Sequence, residues 1–395
     1  MEFDGKKVSP QIVQVSGQAV RVIEGNNVGF HYANAPYDKG TQIEKALQSA
    51  RVLDTQYQWD IAFPEKQVYP SVGAICDPAI EQADISDVVD YCLAIVEGLN
   101  ECNISSKGLL YCQRSWFSLQ TNTGIDVEEK STFFTLDMDV SKEPVFNVVK
   151  SCRLWDKDSG SFVDVVKEQV KRHMPGTKND VAKNSRFAFG SRAFYAVLRP
   201  FIWQISIDRV KRGISRIPAD TVAGEVFTLY DDGTYPDGVR TSLCDGEGIA
   251  SQKYSLIEKG RRNRFMYDHF HALHDNTQST GNAVRTSMMA PPKIGPRNLV
   301  VKEGDCSLDE FTGVVIEEVV NDKGASLVSG EYVFNIKRAY YVKNGDILGA
   351  VKPFFLKGNI FDLLKNIYGT GVLKENSFPQ YRELVTPYVF IQKFG

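Results

Sequence analysis

VFTLYDDGTYPDGVRTSLCDGEG, residues 226–248, is the stretch that decides the fold. Turn-forming Asp, Gly and Pro residues punctuate it at the spacing of short strands. The same punctuation continues to residue 346 in the stretches EKG, NDKG, SGE and KNGD. We therefore predict a mostly β domain over residues 181–395, with a short helix near 359–369.

The first half of the sequence combines helix and strand patterns. Several stretches repeat apolar residues every three or four positions, as amphipathic helices do, and Asp84 is a natural N-cap. Another stretch alternates apolar and polar residues and contains the turn-forming residues Asn122-Thr123-Gly124, which is typical of a β-hairpin. The predicted elements are helices over 38–54, 84–102 and roughly 160–173, and a hairpin over 109–140.

The stretch RHMPGTKNDVAKNSR, residues 172–186, loses apolar periodicity and collects Pro, Gly, Asn and charge. We place a domain boundary there. It separates a mixed helix and antiparallel-sheet domain, residues 1–180, from the β-rich domain, residues 181–395. The predicted fold class is α+β with two domains, in line with a length of 395 residues.

The composition, 43% hydrophobic and 24% charged, is that of a globular protein. The sequence contains neither an apolar h-region at its start nor an apolar run of bilayer length, so we expect a cytoplasmic protein with no membrane partner. A formal net charge of −3 gives no excess of positive charge for binding nucleic acid, which is therefore not an expected partner. The basic KGRRNR cluster at 259–264 is interpreted as a solvated turn. Seven cysteines without paired short spacings indicate reduced thiols.

Three of the five histidines, His269, His271 and His274, fall within six positions. On a strand, His269 and His271 would share a face, as two zinc ligands often do, but His274 would point in another direction. The alternative to a metal site is three partly exposed histidines on an edge strand or at a helix end, and we favour this alternative. The three remain candidate metal ligands.

Acidic residues occur as the pairs Asp231-Asp232 and Asp245 with Glu247. Such pairs can perform acid–base work, but both lie in Gly-rich turns, where Asp commonly caps its own backbone. Turn chemistry is favoured here. Cys244 has no basic neighbour in sequence that would form a thiolate, and no Gly-x-Ser-x-Gly, phosphate-loop or dinucleotide signature is present.

The stretch QSTGNAVRTSMMAPPKIGPRNLVVKEGD, residues 278–305, offers small polar groups on a turn, then a fixed charge, then prolines that stiffen the chain. It suits recognition of a peptide backbone by strand addition. An ordered connecting loop fits these residues equally well. Its polar candidates are Ser279, Thr280, Gly281, Asn282 and Arg285.

The order of these motifs resembles the TldD/PmbA family, often named modulators of DNA gyrase, and within it the PmbA (TldE) branch. The resemblance is specific between residues 226 and 305, and weaker echoes extend it over most of the chain. The matching features are Asp231-Asp232-Gly233-Thr234, Asp245, Glu247 and Gly248, Leu256-Ile257-Glu258 with Gly260, Ser279 to Asn282, and Asn298-Leu299 with Gly304-Asp305.

The resemblance implies a two-domain α+β fold and dimeric assembly. Active members of the family are zinc peptidases with a His-Glu-x-x-x-His helix at the start of the C-terminal domain and a Cys near the C-terminus. Here residues 186–224 contain no histidine and no glutamate, and no cysteine follows Tyr368. We therefore expect no catalytic residue and no metal in this chain, with zinc in a partner subunit. The histidines would lie on the family's ordinary strand and chain reversal.

The resemblance also implies a function. PmbA-like chains pair with TldD-like chains that carry the zinc, and together they cleave unfolded or modified peptides, such as the leaders of peptide natural products. The alternative is a stand-alone homodimer that binds peptides without peptidase activity. In either case the candidate residues of a peptide cleft, or of structural motifs, are Asp231, Asp232, Asp245, Glu247, Ser279, Thr280, Gly281, Asn282, Arg285 and Asn298.

Overall fold

The computed structural model has the α+β architecture that the sequence predicts, with helices and several sheets. It describes residues 1–5, 7–34, 38–52, 57–73, 75–141, 145–173, 181, 185–320 and 324–392. None of the helices in these ranges combines the length and the apolar character that a membrane span requires.

The N-terminal half contains an antiparallel five-stranded sheet in the order β2-β1-β5-β6-β7, and a separate hairpin of β3 and β4. The strands are β1 (Glu2–Asp4), β2 (Lys7–Ser9), β3 (Gln18–Glu24), β4 (Asn27–Ala33), β5 (Ser105–Gln120), β6 (Asp126–Ser141) and β7 (Phe146–Cys152). The helices are α1 (Lys39–Val52), α2 (Pro78–Gln82), α3 (Ile85–Asn100) and α4 (Ser159–Arg172).

Side chains on one face of the five-stranded sheet pack against α3 and α4. Leu110, Leu136 and Met138 alternate along β5 and β6 and are buried, as are Val96 of α3 and Val166 of α4. This period of two makes one face of the hairpin apolar and leaves the other face polar. The predicted helices and the long hairpin are confirmed within a few residues, including the predicted turn, in which Gly124 adopts a φ of 93°.

The C-terminal half contains two large sheets, β11-β10-β9-β14-β21-β20 and β17-β16-β15-β8-β22-β19, with β18 also paired to β16. Strands β12 and β13 form a small separate hairpin. The strands are β8 (Phe187–Phe189), β9 (Leu229–Asp232), β10 (Lys253–Glu258), β11 (Arg261–Arg262), β12 (Ala283–Val284), β13 (Lys293–Ile294), β14 (Leu299–Val301), β15 (Gly313–Val319), β16 (Glu331–Lys343), β17 (Asp346–Ala350), β18 (Phe354–Asn359), β19 (Ile367–Thr370), β20 (Gln380–Tyr381), β21 (Leu384–Val385) and β22 (Val389–Ile391).

Helix α5 lies against both large sheets. It contacts β15 in one and β20 and β21 in the other, so its side chains form the centre of this half. The helices are α5 (Ser191–Gln204), α6 (Ile207–Lys211), α7 (His269–His274) and α8 (Ile360–Lys365). The predicted helix near 359–369 is therefore α8, and the chain continues directly into β19. The KGRRNR cluster forms the turn Lys259-Gly260, with positive φ at both residues, and then the edge strand β11.

The two halves pack against each other. Each sheet takes its strands from one half only, and the predicted boundary at 180/181 lies largely outside the described residues. Ile125 and Val127 from the first half share an apolar cluster with Cys244 from the second. The Arg153 guanidinium donates to the carbonyl oxygens of Val239 and Thr241 at 2.9 and 3.1 Å. Backbone carbonyls and a small apolar cluster therefore join the halves.

Candidate functional site

Helix α5 begins the C-terminal half, where the resemblance places a metal-binding helix. None of its 14 residues is His, Cys, Asp or Glu, and its only ionisable side chains besides Tyr195 are those of Arg192 and Arg199. Most of its residues are buried, including Pro200 inside the helix. Its partly exposed residues are Arg192, Arg199 and Trp203. This helix supplies packing in place of metal ligands.

The start of α5 meets the C-terminal tail. The Ser191 hydroxyl donates to the carbonyl oxygen of Phe378 at 2.5 Å, and the Tyr195 hydroxyl donates to the Glu383 carboxylate at 3.0 Å. Burial, and then the charge of Glu383, raises the pKa of Tyr195. The two parts of the chain that would carry the family's zinc ligands are thus neighbours. The polar groups of the helix and of the tail form hydrogen bonds with each other.

A network of charged groups lies beside this junction. Arg192 donates to the Asn147 side-chain oxygen at 2.7 Å and pairs with Glu318 at 3.0 Å. Arg338 donates to the backbone oxygen of Asn147 at 3.1 Å. Arg192, Asn147 and Arg338, with Glu317, border a cavity of about 30 Å³, which suits one or two water molecules. Both carboxylates in this network have protein partners, because Glu317 accepts a hydrogen bond from the Tyr388 hydroxyl at 2.8 Å.

The residues at this junction do not fit a zinc ion. Zinc requires three or four convergent imidazole, thiolate or carboxylate donors. In the ranges that the structure describes, no group of three or more His, Cys, Asp or Glu side chains is placed to hold a metal. The one carboxylate beside Arg192, that of Glu318, forms an ion pair with it. We derive no metal-dependent step from this chain.

A polar groove of about 480 Å³ runs over the open face of the N-terminal sheet and ends at Asn147, beside the small cavity. Its floor contains a row of directly paired residues across β2, β1, β5, β6 and β7. Directly paired residues point to the same face, so charges of both signs alternate along this row. The row consists of Lys7, Asp4, Lys107, Asp139 and Asn147.

The groove is within the size range of ligand-binding clefts in proteins. Sequence reasoning missed it, although a signal was present. The stretch TLDMDV, residues 135–140, alternates polar and apolar residues with a period of two. Its polar side chains, Asp137 and Asp139, face the groove, and both accept hydrogen bonds from the Asn147 amide, at 2.7 and 3.2 Å.

The three histidines lie on the short helix α7, where the resemblance implied a strand and chain reversal. Asp268 causes the difference because it caps the helix, accepting from the His271 backbone at 2.9 Å and contacting the His271 ring nitrogen at 2.7 Å. Trp59 covers the helix, with its ring centroid 4.3 Å from that of His274. His269 donates its backbone N–H to Glu247 at 2.9 Å.

The environments of these histidines differ. Burial lowers the pKa of His269. At His271 burial also lowers the pKa, but the hydrogen bond and charge of Asp268 outweigh it and the net shift is upward. His274 accepts from the Lys211 ammonium at 2.7 Å, when its Nδ1 is unprotonated. A lysine at this position opposes a cation. The ring contacts of His271 and His274 with Trp59 join α7 to the N-terminal half.

Asp231 forms a buried network with Asn282. Its carboxylate accepts from the Asn282 amide at 2.5 Å and from the backbone N–H of Arg297 at 2.9 Å. Burial raises the pKa of Asp231 to about 7. Asn282 in turn accepts from the hydroxyl of Tyr254 at 2.5 Å, and Thr280 lies 2.6 Å from the same amide oxygen. The network joins strands β9 and β10 to the 279–282 turn.

Asp245 and Glu247 hold the next turn. Asp245 accepts from the backbone N–H groups of Glu247, Ile249 and Ala283 at 2.9 to 3.0 Å. Burial, and then the charge of Glu247, raises the pKa of Asp245. Glu247 pairs with Arg21 at 2.9 Å and so links the turn to the N-terminal half. Asp245 is thus engaged in turn chemistry, whereas Glu247 bonds to residues outside the turn.

The remaining candidates also bond within the chain. Asp232 accepts from the Thr234 backbone at 2.9 Å, and Asn298 donates to the backbone oxygen of Asp232 at 2.8 Å. Ser279 donates to the Tyr267 carbonyl at 3.2 Å, and Gly281 turns the chain with a φ of 71°. Arg285 donates to the carbonyl oxygens of Ala290 and Gly246.

The 278–305 stretch folds onto its own neighbours. Its residues Ala283–Val284 pair with Lys293–Ile294 as β12 and β13. Strand β14 lies between β9 and β21, so both of its edges are occupied. A peptide cannot add to β14 without displacing one of these strands. Cys244 is likewise enclosed, since burial and then the charge of Asp245 raise the pKa of its thiol to about 12.

The fold and the site define a class of α+β protein whose C-terminal half is built around a buried helix, α5, that contains no His, Cys, Asp or Glu. Residues 184–395 match the model of the PmbA/TldA metallopeptidase C-terminal domain. The chain belongs to this family.

Individual relatives agree. An uncharacterized protein of Methanocaldococcus jannaschii is 27% identical over 395 residues, which covers 98% of this chain and 91% of that protein. A metalloprotease TldD homolog of Buchnera aphidicola is 32% identical over 154 residues, covering 38% of this chain and only 32% of the relative. The crystal structure of TldE from Thermococcus kodakarensis superposes with a TM-score of 0.81 at 19% identity, over 99% of this chain and 92% of that one. The last similarity shows a shared fold.

Proposed function

We propose that this chain is a non-catalytic, PmbA/TldE-like subunit of a heterodimeric zinc metallopeptidase of the TldD/TldE type. The single observation that carries the proposal is that α5, the helix at which the resemblance places the metal ligands of active members, contains no His, Cys, Asp or Glu. Zinc in such peptidases activates a water molecule for attack on the peptide bond. Helix α5 offers no ligand for that role, so we assign the metal to a TldD-like partner.

The groove supports a role in holding peptides. Its charged row, with Lys107 and Asp139 side by side, offers contacts of both signs to an extended chain. Unfolded or modified peptides, such as leader segments removed during maturation, can enter an open groove because their backbone is already extended. The proposed complex acts in the cytoplasm.

The experiment that tests the proposal is to recover the affinity-tagged chain from its native cells and to identify co-purifying proteins by mass spectrometry. We expect a near-stoichiometric partner that carries His-Glu-x-x-x-His. Metal analysis should then find zinc in the complex and none in this chain purified alone. Stoichiometric zinc and peptide cleavage by the lone chain would overturn the proposal. Recovery of the chain alone would favour the stand-alone homodimeric peptide-binding protein.

The groove is tested in the complex by reversing one of its charges. Lys107→Glu should raise KM for a peptide substrate about fivefold, as expected for roughly 1 kcal/mol at a partly exposed charge, with kcat unchanged. The matched control is Lys39→Glu on the exposed start of α1, outside the groove. Equal KM values for the two variants would show that the peptide does not bind in the groove.

A further inference from the structure

Two segments that lie far apart in the sequence, residues 205–221 and 258–266, are neighbours in the fold. Isolated β-bridges join them near both ends, Ser206 to Met266 and Thr221 to Arg261. Close to the second bridge, the Arg262 guanidinium donates to the carbonyl oxygen of Ala219 at 2.8 Å. The side chains of both segments therefore share one region of the surface, which we call the basic surface.

The basic surface carries a strong local charge. Its two segments contain eight Lys or Arg and three Asp or Glu, which gives them a formal charge of +5. The whole chain has a charge of −3, so the remainder of the chain has a charge of −8. Four of the eight basic residues come from the KGRRNR cluster, and the other four come from α6 and the residues that follow it. The weak net charge of the chain thus conceals a concentrated positive one.

Most of these cations have no acidic partner. Salt bridges within 4 Å engage three of the eight, and in the part of the chain that the structure describes the other five have no carboxylate at that distance. Four of these five are also exposed to solvent, namely Arg212, Arg216, Lys259 and Arg264. Like charges on one surface repel each other, and a partner with several negative charges relieves that repulsion.

Two arginines of the basic surface lie over aromatic rings. The guanidinium carbon of Arg209 is 4.5 Å from the ring centroid of Trp203, and that of Arg262 is 4.4 Å from the ring centroid of Phe265. Both rings are partly exposed. Aromatic rings and arginine planes are the groups on which proteins stack unpaired bases, and arginine also binds phosphate with two parallel hydrogen bonds.

We propose that the basic surface binds single-stranded nucleic acid, with its exposed cations on the phosphates and its ring-stacked arginines against the bases. A membrane would require several exposed apolar side chains among the charges, but Ile214 is the one large apolar side chain that the two segments expose. An acidic protein segment would use the charges and leave the stacked arginines without a role. The opposite expectation from the sequence rested on the net charge of the whole chain, which averages this surface away.

The first test measures the fluorescence anisotropy of labelled oligo(U), about twelve nucleotides long, during titration with the lone chain at low salt. The double variant Arg212→Glu with Arg264→Glu should raise Kd about tenfold or more, because two phosphate contacts become repulsive. The matched control, Lys39→Glu with Lys365→Glu, changes the net charge equally at exposed positions outside the basic surface and should bind as wild type does. Circular dichroism checks folding.

The proposal is overturned if wild type binds neither oligo(U) nor oligo(dT), which is measured beside it to separate RNA from DNA. Equal weakening in the two double variants would overturn it as well, because the effect would then come from net charge alone.

The second test separates bases from phosphates. An abasic strand of the same length keeps the phosphates and should bind several-fold more weakly than oligo(U). Arg209→Lys keeps the charge but removes the planar group, so Kd for oligo(U) should rise about threefold while Kd for the abasic strand stays constant. Arg51→Lys, on an exposed arginine of α1, is the control. Equal affinity for intact and abasic strands, or tighter binding of polyglutamate or of phosphatidylserine vesicles, would exclude single-stranded nucleic acid as the partner.

This inference does not rest on the proposed function, because the tests use the lone chain and require neither zinc nor peptide cleavage. A chain that binds no oligonucleotide but co-purifies with a zinc-carrying partner would refute this inference alone. Oligonucleotide binding by a chain that recruits no such partner would do the reverse.

Discussion

Buried carboxylates are used in this protein as structural cross-links. Asp231 and Asp245 are almost inaccessible to solvent, and each accepts hydrogen bonds from distant parts of the chain. Hydrogen bonds to a carboxylate are stronger than neutral ones, but burial disfavours the charge. The raised pKa values of both groups show that burial prevails over the hydrogen bonds.

A pH dependence of stability follows for Asp231. Its pKa is about 7 in the folded protein, against an ordinary value of 3.8, so the folded state binds this proton more tightly than the unfolded chain does. The resulting stabilisation of the folded protein is complete below pH 3.8 and is lost as the pH rises through about 7. In urea unfolding at about pH 5 and about pH 8, wild type should lose more stability on going to the higher pH than Asp231→Asn does. Equal losses would show that Asp231 titrates normally.

Cys244 is predicted to be unreactive. Its thiol is buried and its pKa is about 12, so almost no thiolate is present at neutral pH. Iodoacetamide should modify Cys244 only after denaturation, as read by mass spectrometry of tryptic peptides. Cys306, which is partly exposed, is the internal comparison in the same digest. Modification of Cys244 in the native protein at the rate of Cys306 would refute the prediction.

At the scale of elements, α5 shows where sequence patterns lose information. Periodicity predicts amphipathic helices such as α3, because one face of α3 is apolar and the other is polar. Helix α5 is buried over most of its length, but Pro200, a residue that normally ends or kinks a helix, stands inside the stretch SRAFYAVLRPFIWQ beside Arg199. The pattern therefore gave no helix there, and only the resemblance to a family pointed to one.

The start of α5 depends on a glycine. A Cβ at Gly190 would lie 2.5 Å from a carboxylate oxygen of Glu317, which is itself held by the Tyr388 hydroxyl. Gly190→Ala should therefore lower the free energy of unfolding by about 1–3 kcal/mol, the usual cost of overpacking. Gly73→Ala, where a Cβ meets nothing within 4 Å, is the control and should not destabilise the protein in the same urea titration.

At the scale of the whole molecule, Arg153 joins the two halves. It follows β7 and donates to four carbonyl oxygens, three of them in the 238–241 turn of the other half. Lysine has a single flexible ammonium and cannot reach the same set, so Arg153→Lys leaves buried acceptors unpaired. The free energy of unfolding should fall by roughly 2 kcal/mol.

Differential scanning calorimetry checks this prediction. The Arg153→Lys variant should melt at a lower temperature than wild type. If the junction is the main coupling between the two halves, the halves of the variant should also melt in two separate transitions. Arg51→Lys changes an exposed arginine on α1 and serves as the control. An unchanged melting temperature for Arg153→Lys would show that the apolar cluster around Ile125 is sufficient to hold the halves together.

The sequence predicted the class of fold, the four-element pattern of the first half and the turn chemistry of Asp232 and Asp245, since these depend on residues close together in the chain. It did not predict that Asp231 and Glu247 bond to distant residues. It did not predict the groove. Asp4, Lys107, Asp139 and Asn147 meet only because β1, β5, β6 and β7 pair in one register, and no local pattern encodes that register. At the histidines, the favoured alternative of an edge strand or a helix end left the helix open, and the structure shows the helix α7, capped by Asp268, in place of the strand that the resemblance implied.

The Asp231–Asn282 network has a consequence for genome surveys. Asp231 and Asn282 lie in the motifs that carry the resemblance to the family, and their hydrogen bonds run to other residues of the C-terminal half. The resemblance places the metal-binding helix elsewhere, at α5. A survey that selects chains by the first motifs therefore selects them by the architecture of the C-terminal half, and the α5 stretch has to be read separately for metal ligands.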